Sequence, residues 1–103
     1  MHSFTALADP TRRQILELLG RGDLTAGDIV GRFAVSAPAI SQHLKVLREA
    51  RLVQVRVDGQ RRIYSLDPAG FAEVDAWMHQ VRQFWSARLD AATIASALPQ
   101  RLR

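Results

Sequence analysis

Ala34-Val35-Ser36-Ala37-Pro38-Ala39-Ile40-Ser41-Gln42-His43-Leu44-Lys45-Val46-Leu47-Arg48-Glu49 is the stretch on which the reading of this 103-residue chain turns. Ser36 is placed to cap a first helical turn, and Pro38 fits an early helical position because its missing N–H would be orphaned there anyway. Ile40, Leu44 and Leu47 recur at helical spacing and mark the side that packs. The opposite side carries Ser41, Gln42, His43 and Lys45. A helix that opens on small residues and then shows short hydrogen-bonding side chains can enter a DNA major groove and read base edges. The stretch 36–49 is therefore expected to be a reading helix.

The charge pattern points the same way. The chain carries a formal +4, and the segment from Arg32 to Arg62 holds seven basic residues (Arg32, Lys45, Arg48, Arg51, Arg56, Arg61, Arg62) against Glu49 and Asp58. All of the excess positive charge thus lies around the proposed reading helix, the electrostatic footprint of a polyanion partner. Thirteen of the fourteen basic residues are arginine, which suits forked contacts to phosphate. The absence of cysteine excludes disulfides and thiolate metal sites. No apolar run approaches the roughly 20 residues of a membrane span, so a soluble cytoplasmic protein with no membrane partner is expected.

Working outward, Asp9-Pro10-Thr11 is a helix start with Asp9 as cap. It follows a short N-terminal helical segment, 3–8, that presents Phe4 and Leu7. Ile15, Leu16, Leu18 and Leu19 give the next helix its apolar stripe, stopped by Gly20 and Gly22. Thr25 and Asp28 have the spacing of a capping box and predict a third helix running through Phe33. After the reading helix, Leu52 to Val57 alternates apolar and polar residues, Asp58-Gly59 marks a turn, and Arg61 to Leu66 returns. This predicts a β-hairpin over 52–66, with either Ile63 or Tyr64 opposite Val55. Asp67-Pro68 then opens a long last helix, 69–97, with Pro99 beyond its end. That helix holds four of the seven aromatic residues, and its stripe through Trp77, Val81, Phe84, Trp85 and Leu89 is wider than one helix needs to cover a small domain. Burial against a second copy of the chain is the use expected of it.

The whole is read as a single domain over residues 1–103, mainly α with a small β-hairpin: a winged helix-turn-helix in the order α-α-α-α-β-β-α. No nucleophile–base pattern, Gly-rich phosphate loop or carboxylate pair stands out, so no catalytic residue is assigned and an enzyme is not expected. Two other readings remain open, a winged helix that binds a protein in place of specific DNA, and a metal-responsive repressor with an atypical site.

At residue level the chain resembles the ArsR/SmtB family of bacterial transcriptional repressors. The matching fragments are Ala6-Leu7-Ala8-Asp9-Pro10-Thr11-Arg12-Arg13 with Ile15-Leu16, Val35-Ser36, Ser41-Gln42-His43-Leu44-Lys45-Val46-Leu47, Leu52-Val53, Asp58-Gly59 and Tyr64-Ser65-Leu66-Asp67. The resemblance implies a homodimer joined through its first and last helices, on Phe4, Leu7, Trp77, Val81, Phe84, Trp85 and Leu89, bound to a pseudo-palindromic operator on double-stranded DNA. It puts Ala37, Pro38, Ser41 and Gln42 near bases, Ser36, His43 and Lys45 nearer phosphates, and the wing residues Gln60, Arg61 and Arg62 along the backbone or minor groove. The chemistry agrees: glutamine can pair bidentately with adenine, and an alanine methyl can meet the thymine methyl. The chain departs from the family pattern at Arg51, where glycine is usual, and at Ala37, where a longer polar side chain is common.

Many relatives release DNA on binding metal. Thr25 and Gly27 stand where the arsenic-type sensors carry cysteines, and Asp75 with His79 is the nearest approach to the zinc-type ligand set. No metal site and no cofactor is assigned, and the effector stays unknown.

Overall fold

The computed structural model describes residues 2–88 of the chain. Its helices are α1 (His2–Leu7), α2 (Pro10–Leu19), α3 (Ala26–Val30), α4 (Ala37–Glu49) and α5 (Pro68–Arg88); its strands are β1 (Leu24–Thr25), β2 (Val53–Asp58) and β3 (Arg61–Leu66). The three strands form an antiparallel sheet in the order β1-β3-β2. This is a winged helix-turn-helix, with α3 and α4 as the helical pair and β2–β3 as the wing.

Local side-chain bonds set the helix starts. Asp9 accepts from the Arg12 amide (3.1 Å), Ser36 from the Ala39 amide (3.3 Å) and Asp67 from the Ala69 amide (3.0 Å). At α3 the capping box closes in both directions, Thr25 Oγ1 accepting from the Asp28 amide and Asp28 Oδ2 from the Thr25 amide. Each cap satisfies an amide that the helix itself leaves orphaned.

Ile15, Leu16 and Leu19 of α2 meet Ile40, Leu44 and Leu47 of α4 in one core, closed by Ile29, Leu52, Val53 and Tyr64. Fully burying an aliphatic side chain of this size contributes about 1.5–3 kcal/mol. On β3 the neighbours Ile63 and Tyr64 are both buried, against the alternation of a half-buried strand. β3 is the middle strand and is covered on both faces.

The structure adds to the sequence reading at three points. It contains β1, a third strand of two residues that pairs Leu24 with Tyr64 and Thr25 with Ile63. It ends α3 at Val30, not at Phe33: Gly31 caps the helix, and the amides of Arg32 and Phe33 bond three residues back, to Ile29 and Val30. That tightened turn carries Phe33 onto the core. The hairpin register is also resolved. Val55 lies opposite Tyr64, and Asp58 opposite Arg61, leaving the two-residue loop Gly59-Gln60 with Gly59 at φ 64°. A positive φ at the first loop position suits the strand twist, and glycine adopts it without strain. Of the segment 69–97 expected to be helical, the part beyond Arg88 lies outside the described residues.

One junction fixes α4, the wing and α5 together. α4 ends in a Schellman turn, with the Leu52 amide on the Leu47 carbonyl and the Arg51 amide on the Arg48 carbonyl. Arg51 sits at φ 60°, the left-handed conformation that a glycine would take freely. Its carbonyl accepts the Gly70 amide at 2.7 Å, and the Leu52 carbonyl accepts the Asp67 amide at 3.0 Å. A Cβ on Gly70 would lie 2.6 Å from the Arg51 carbonyl oxygen and 2.7 Å from that of Ala50. The start of α5 therefore touches the turn backbone to backbone.

Two variants test this junction by urea melts. Gly70→Ala should lower stability by about 1–3 kcal/mol, although alanine is the better helix former by about 1 kcal/mol in an open helix; a neutral or stabilised variant would show that the contact is loose. Arg51→Gly should raise stability by about 1 kcal/mol, relieving the left-handed strain at an exposed position. An unchanged midpoint would mean that the turn carries no such strain.

Candidate nucleic-acid interface

With Ile40, Leu44 and Leu47 in the core, α4 turns a continuous polar face outward. Ala37, Pro38, Ser41, Gln42, Lys45 and Arg48 are exposed. The small residues at its N-terminus leave that end of the helix open to close approach. Ser36 Oγ already accepts from the Ala39 amide, but its hydroxyl hydrogen stays available to donate.

His43 lies elsewhere. It is half-buried on the flank of α4, and its Nδ1 is 3.4 Å from Nη1 of Arg12 on α2. The same guanidinium donates through Nε to the Ala6 carbonyl (2.7 Å) and through Nη2 to the Thr5 carbonyl (3.3 Å). Arg13 donates to the Leu7 carbonyl at 2.7 Å. These two arginines thus donate to the last carbonyls of α1, those of Ala6 and Leu7 among them, which the helix leaves open. Asp9 lies close by, its carboxylate held below the usual range chiefly by the Arg12 amide, with nearby His43 adding to the effect. In the sequence, Arg12 and Arg13 stand out only within the fragment Ala6 to Arg13. Apart from the His43 ring, their partners are backbone carbonyls of α1, which leave no trace in side-chain pattern.

The wing places Gln60, Arg61 and Arg62 at its exposed tip. Successive strand residues point to opposite faces, so Arg61 and Arg62 face different ways. Arg61 is 3.5 Å from Asp58 across the turn, and Arg56 is 3.0 Å from Asp23 in the loop before β1. Of the seven cations between Arg32 and Arg62, two are therefore engaged in ion pairs. Arg62, Lys45 and Arg48 have no ion-pair partner among the described residues.

On the far side, α1 is fastened to α5. Ser3 Oγ donates to Glu73 Oε1 at 2.8 Å, and the Phe4 and Trp77 rings meet edge to face at 5.1 Å. Phe4, Leu7 and Val81 are half-buried within the protomer. Trp77, Met78, Phe84 and Trp85 stay exposed, Phe84 by 70%. Leu89 lies outside the described residues. His79 sits beside Gln83, 3.4 Å away, and no three His, Asp or Glu side chains converge among the described residues. No helix among them is long and apolar enough to cross a membrane.

Comparison with known proteins adds a family to this geometry. The model of bacterial regulatory proteins of the arsR family matches residues 9–55, from the cap of α2 into β2. The HTH-type transcriptional regulator Rv2034 of Mycobacterium tuberculosis is 48% identical over 84% of this chain and 78% of its own length. The transcriptional repressor SdpR of Bacillus subtilis is 45% identical over 73% of this chain and 83% of its own. A solved structure of a possible transcriptional regulator for arsenical resistance superposes with a TM-score of 0.74 at 40% identity, covering 96% of this chain and 99% of that one. An exposed polar helical face, a basic wing and relatives named as regulators converge: the chain belongs to the arsR family of bacterial regulatory proteins and is a DNA-binding transcriptional regulator, not an enzyme.

Proposed function

We propose that the chain acts in the cytoplasm as a homodimeric repressor, binding a pseudo-palindromic operator in the promoter of its own or a neighbouring operon. The observation that carries this reading is the pairing of two unsatisfied surfaces on one protomer: the polar face of α4 and the apolar stripe of α5. An exposed run of Trp77, Met78, Phe84 and Trp85 is costly for a lone protomer and marks an interaction surface. A second copy supplies the same stripe in a self-complementary, two-fold contact, with Phe4 and Leu7 at its edge. Two-fold symmetry then presents two α4 helices to successive major grooves. Repression follows from the relatives, one of which is named a transcriptional repressor.

Within each half-site, Ala37, Pro38, Ser41 and Gln42 approach base edges, Gln42 offering adenine a donor and an acceptor together. Ser36, His43 and Lys45 approach phosphates. Gln60, Arg61 and Arg62 follow the backbone or minor groove, Arg62 with its charge free and Arg61 after exchanging Asp58 for a phosphate.

Gln42→Ala should cost about 1–3 kcal/mol on operator DNA and leave affinity for random duplex unchanged. Equal losses on both, measured by fluorescence anisotropy, would remove Gln42 from base reading. Trp85→Ala should weaken the dimer at least about tenfold in sedimentation equilibrium, as expected for a buried aromatic anchor. An unchanged dimer would place the interface away from the α5 stripe.

A further inference from the structure

Arg12 reaches out of α2 to three partners on two other helices, the Thr5 and Ala6 carbonyls of α1 and the Nδ1 of His43 on α4. A guanidinium has donors only. The His43 Nδ1 facing it can therefore only accept, and the ring proton belongs on Nε2, since the bond made by one imidazole nitrogen sets the state of the other. We propose that Arg12 is a positioning residue for DNA binding: it holds His43 as the Nε2–H tautomer, so that the nitrogen turned away from Arg12 is a ready donor for a DNA phosphate. This role rests on the proposed contact of His43 with a phosphate.

The geometry supports this role over simple packing. His43 is half-buried and meets Arg12 of α2, while its chain neighbour Gln42 is exposed on α4. The Arg12 side chain is anchored first by its 2.7 Å bond to the Ala6 carbonyl, and Ala6 is fully buried. The donor that meets His43 is therefore fixed to the core, not to a mobile surface arm. A lysine could supply the charge but not the fork that engages α1 and α4 together.

The test uses the full-length chain labelled with nitrogen-15, above the ordinary imidazole titration range. Long-range proton–nitrogen correlations separate the tautomers, and the His43→Gln spectrum identifies the His43 signals by their loss. In the wild-type protein His43 should show a bare Nδ1 and a protonated Nε2 as its only tautomer; in Arg12→Gln both tautomers should appear. A protonated Nδ1 in the wild type, or an Arg12→Gln spectrum matching it, would overturn the proposal. Binding to a duplex of the upstream promoter region tests the phosphate contact. His43→Ala should weaken it about fivefold, the equivalent of about 1 kcal/mol. His43→Gln, whose amide can place a donor where Nε2 stood, should stay within about twofold of wild type by the same measure. Unchanged affinity in His43→Ala would overturn the phosphate contact even if the tautomer is as expected. Failure of the wild type to bind that duplex would overturn the operator assignment instead, leaving the tautomer result to judge Arg12 by itself.

Discussion

The rotation of α4 about its own axis is the constraint on which the rest depends. Ile40, Leu44 and Leu47 lock one side of that helix into the core, and a helix with one side locked has no freedom over what its other side shows. Ser41, Gln42 and Lys45 are outside because those three aliphatic side chains are inside. The core thus sets stability and the exposed polar face in the same act.

What α4 presents is completed by the turn that follows it. The left-handed Arg51 reverses the chain into β2, and the close approach of Gly70 pins α5 to the same turn. The wing and the apolar stripe of α5 therefore both take their direction from the end of α4. Strain at Arg51 is held by its neighbours: the Leu47 and Arg48 carbonyls receive the turn amides, and the Arg51 carbonyl receives the Gly70 amide. At the other end, the Arg12 and Arg13 guanidiniums seal α1 against α2, while Ser3 and Phe4 fasten α1 to α5. The polar face of α4 and the apolar surface of α5 belong to one connected frame.

Much of this was legible in the residues because the decisive interactions are local. Asp9-Pro10, Thr25 with Asp28, Ser36 and Asp67-Pro68 all form caps two or three residues along the chain, and a linear reading finds such bonds. The apolar periodicity of α4 did the same for its buried face. Features that depend on distant partners were hidden. β1 is too short to show any periodicity and exists only because β3 lies beside it. The hairpin register needed the conformation of Gly59, and the end of α3 depended on where Phe33 could reach the core. The cationic segment read as one uniform patch, yet Asp23 engages Arg56 from 33 residues away. Arg12 was visible as a residue but not as a link, since the carbonyls and the imidazole it bonds lie on other helices.

The central claim is that two copies of the α4 face read one operator. Fluorescence anisotropy of the protein on its upstream promoter fragment, over a series of salt concentrations and against excess unrelated duplex, tests it most directly. Two protomers per site, affinity that survives the competitor and a steep loss with salt are the predicted result. Weak binding erased equally by any duplex, or one protomer per site, would contradict it.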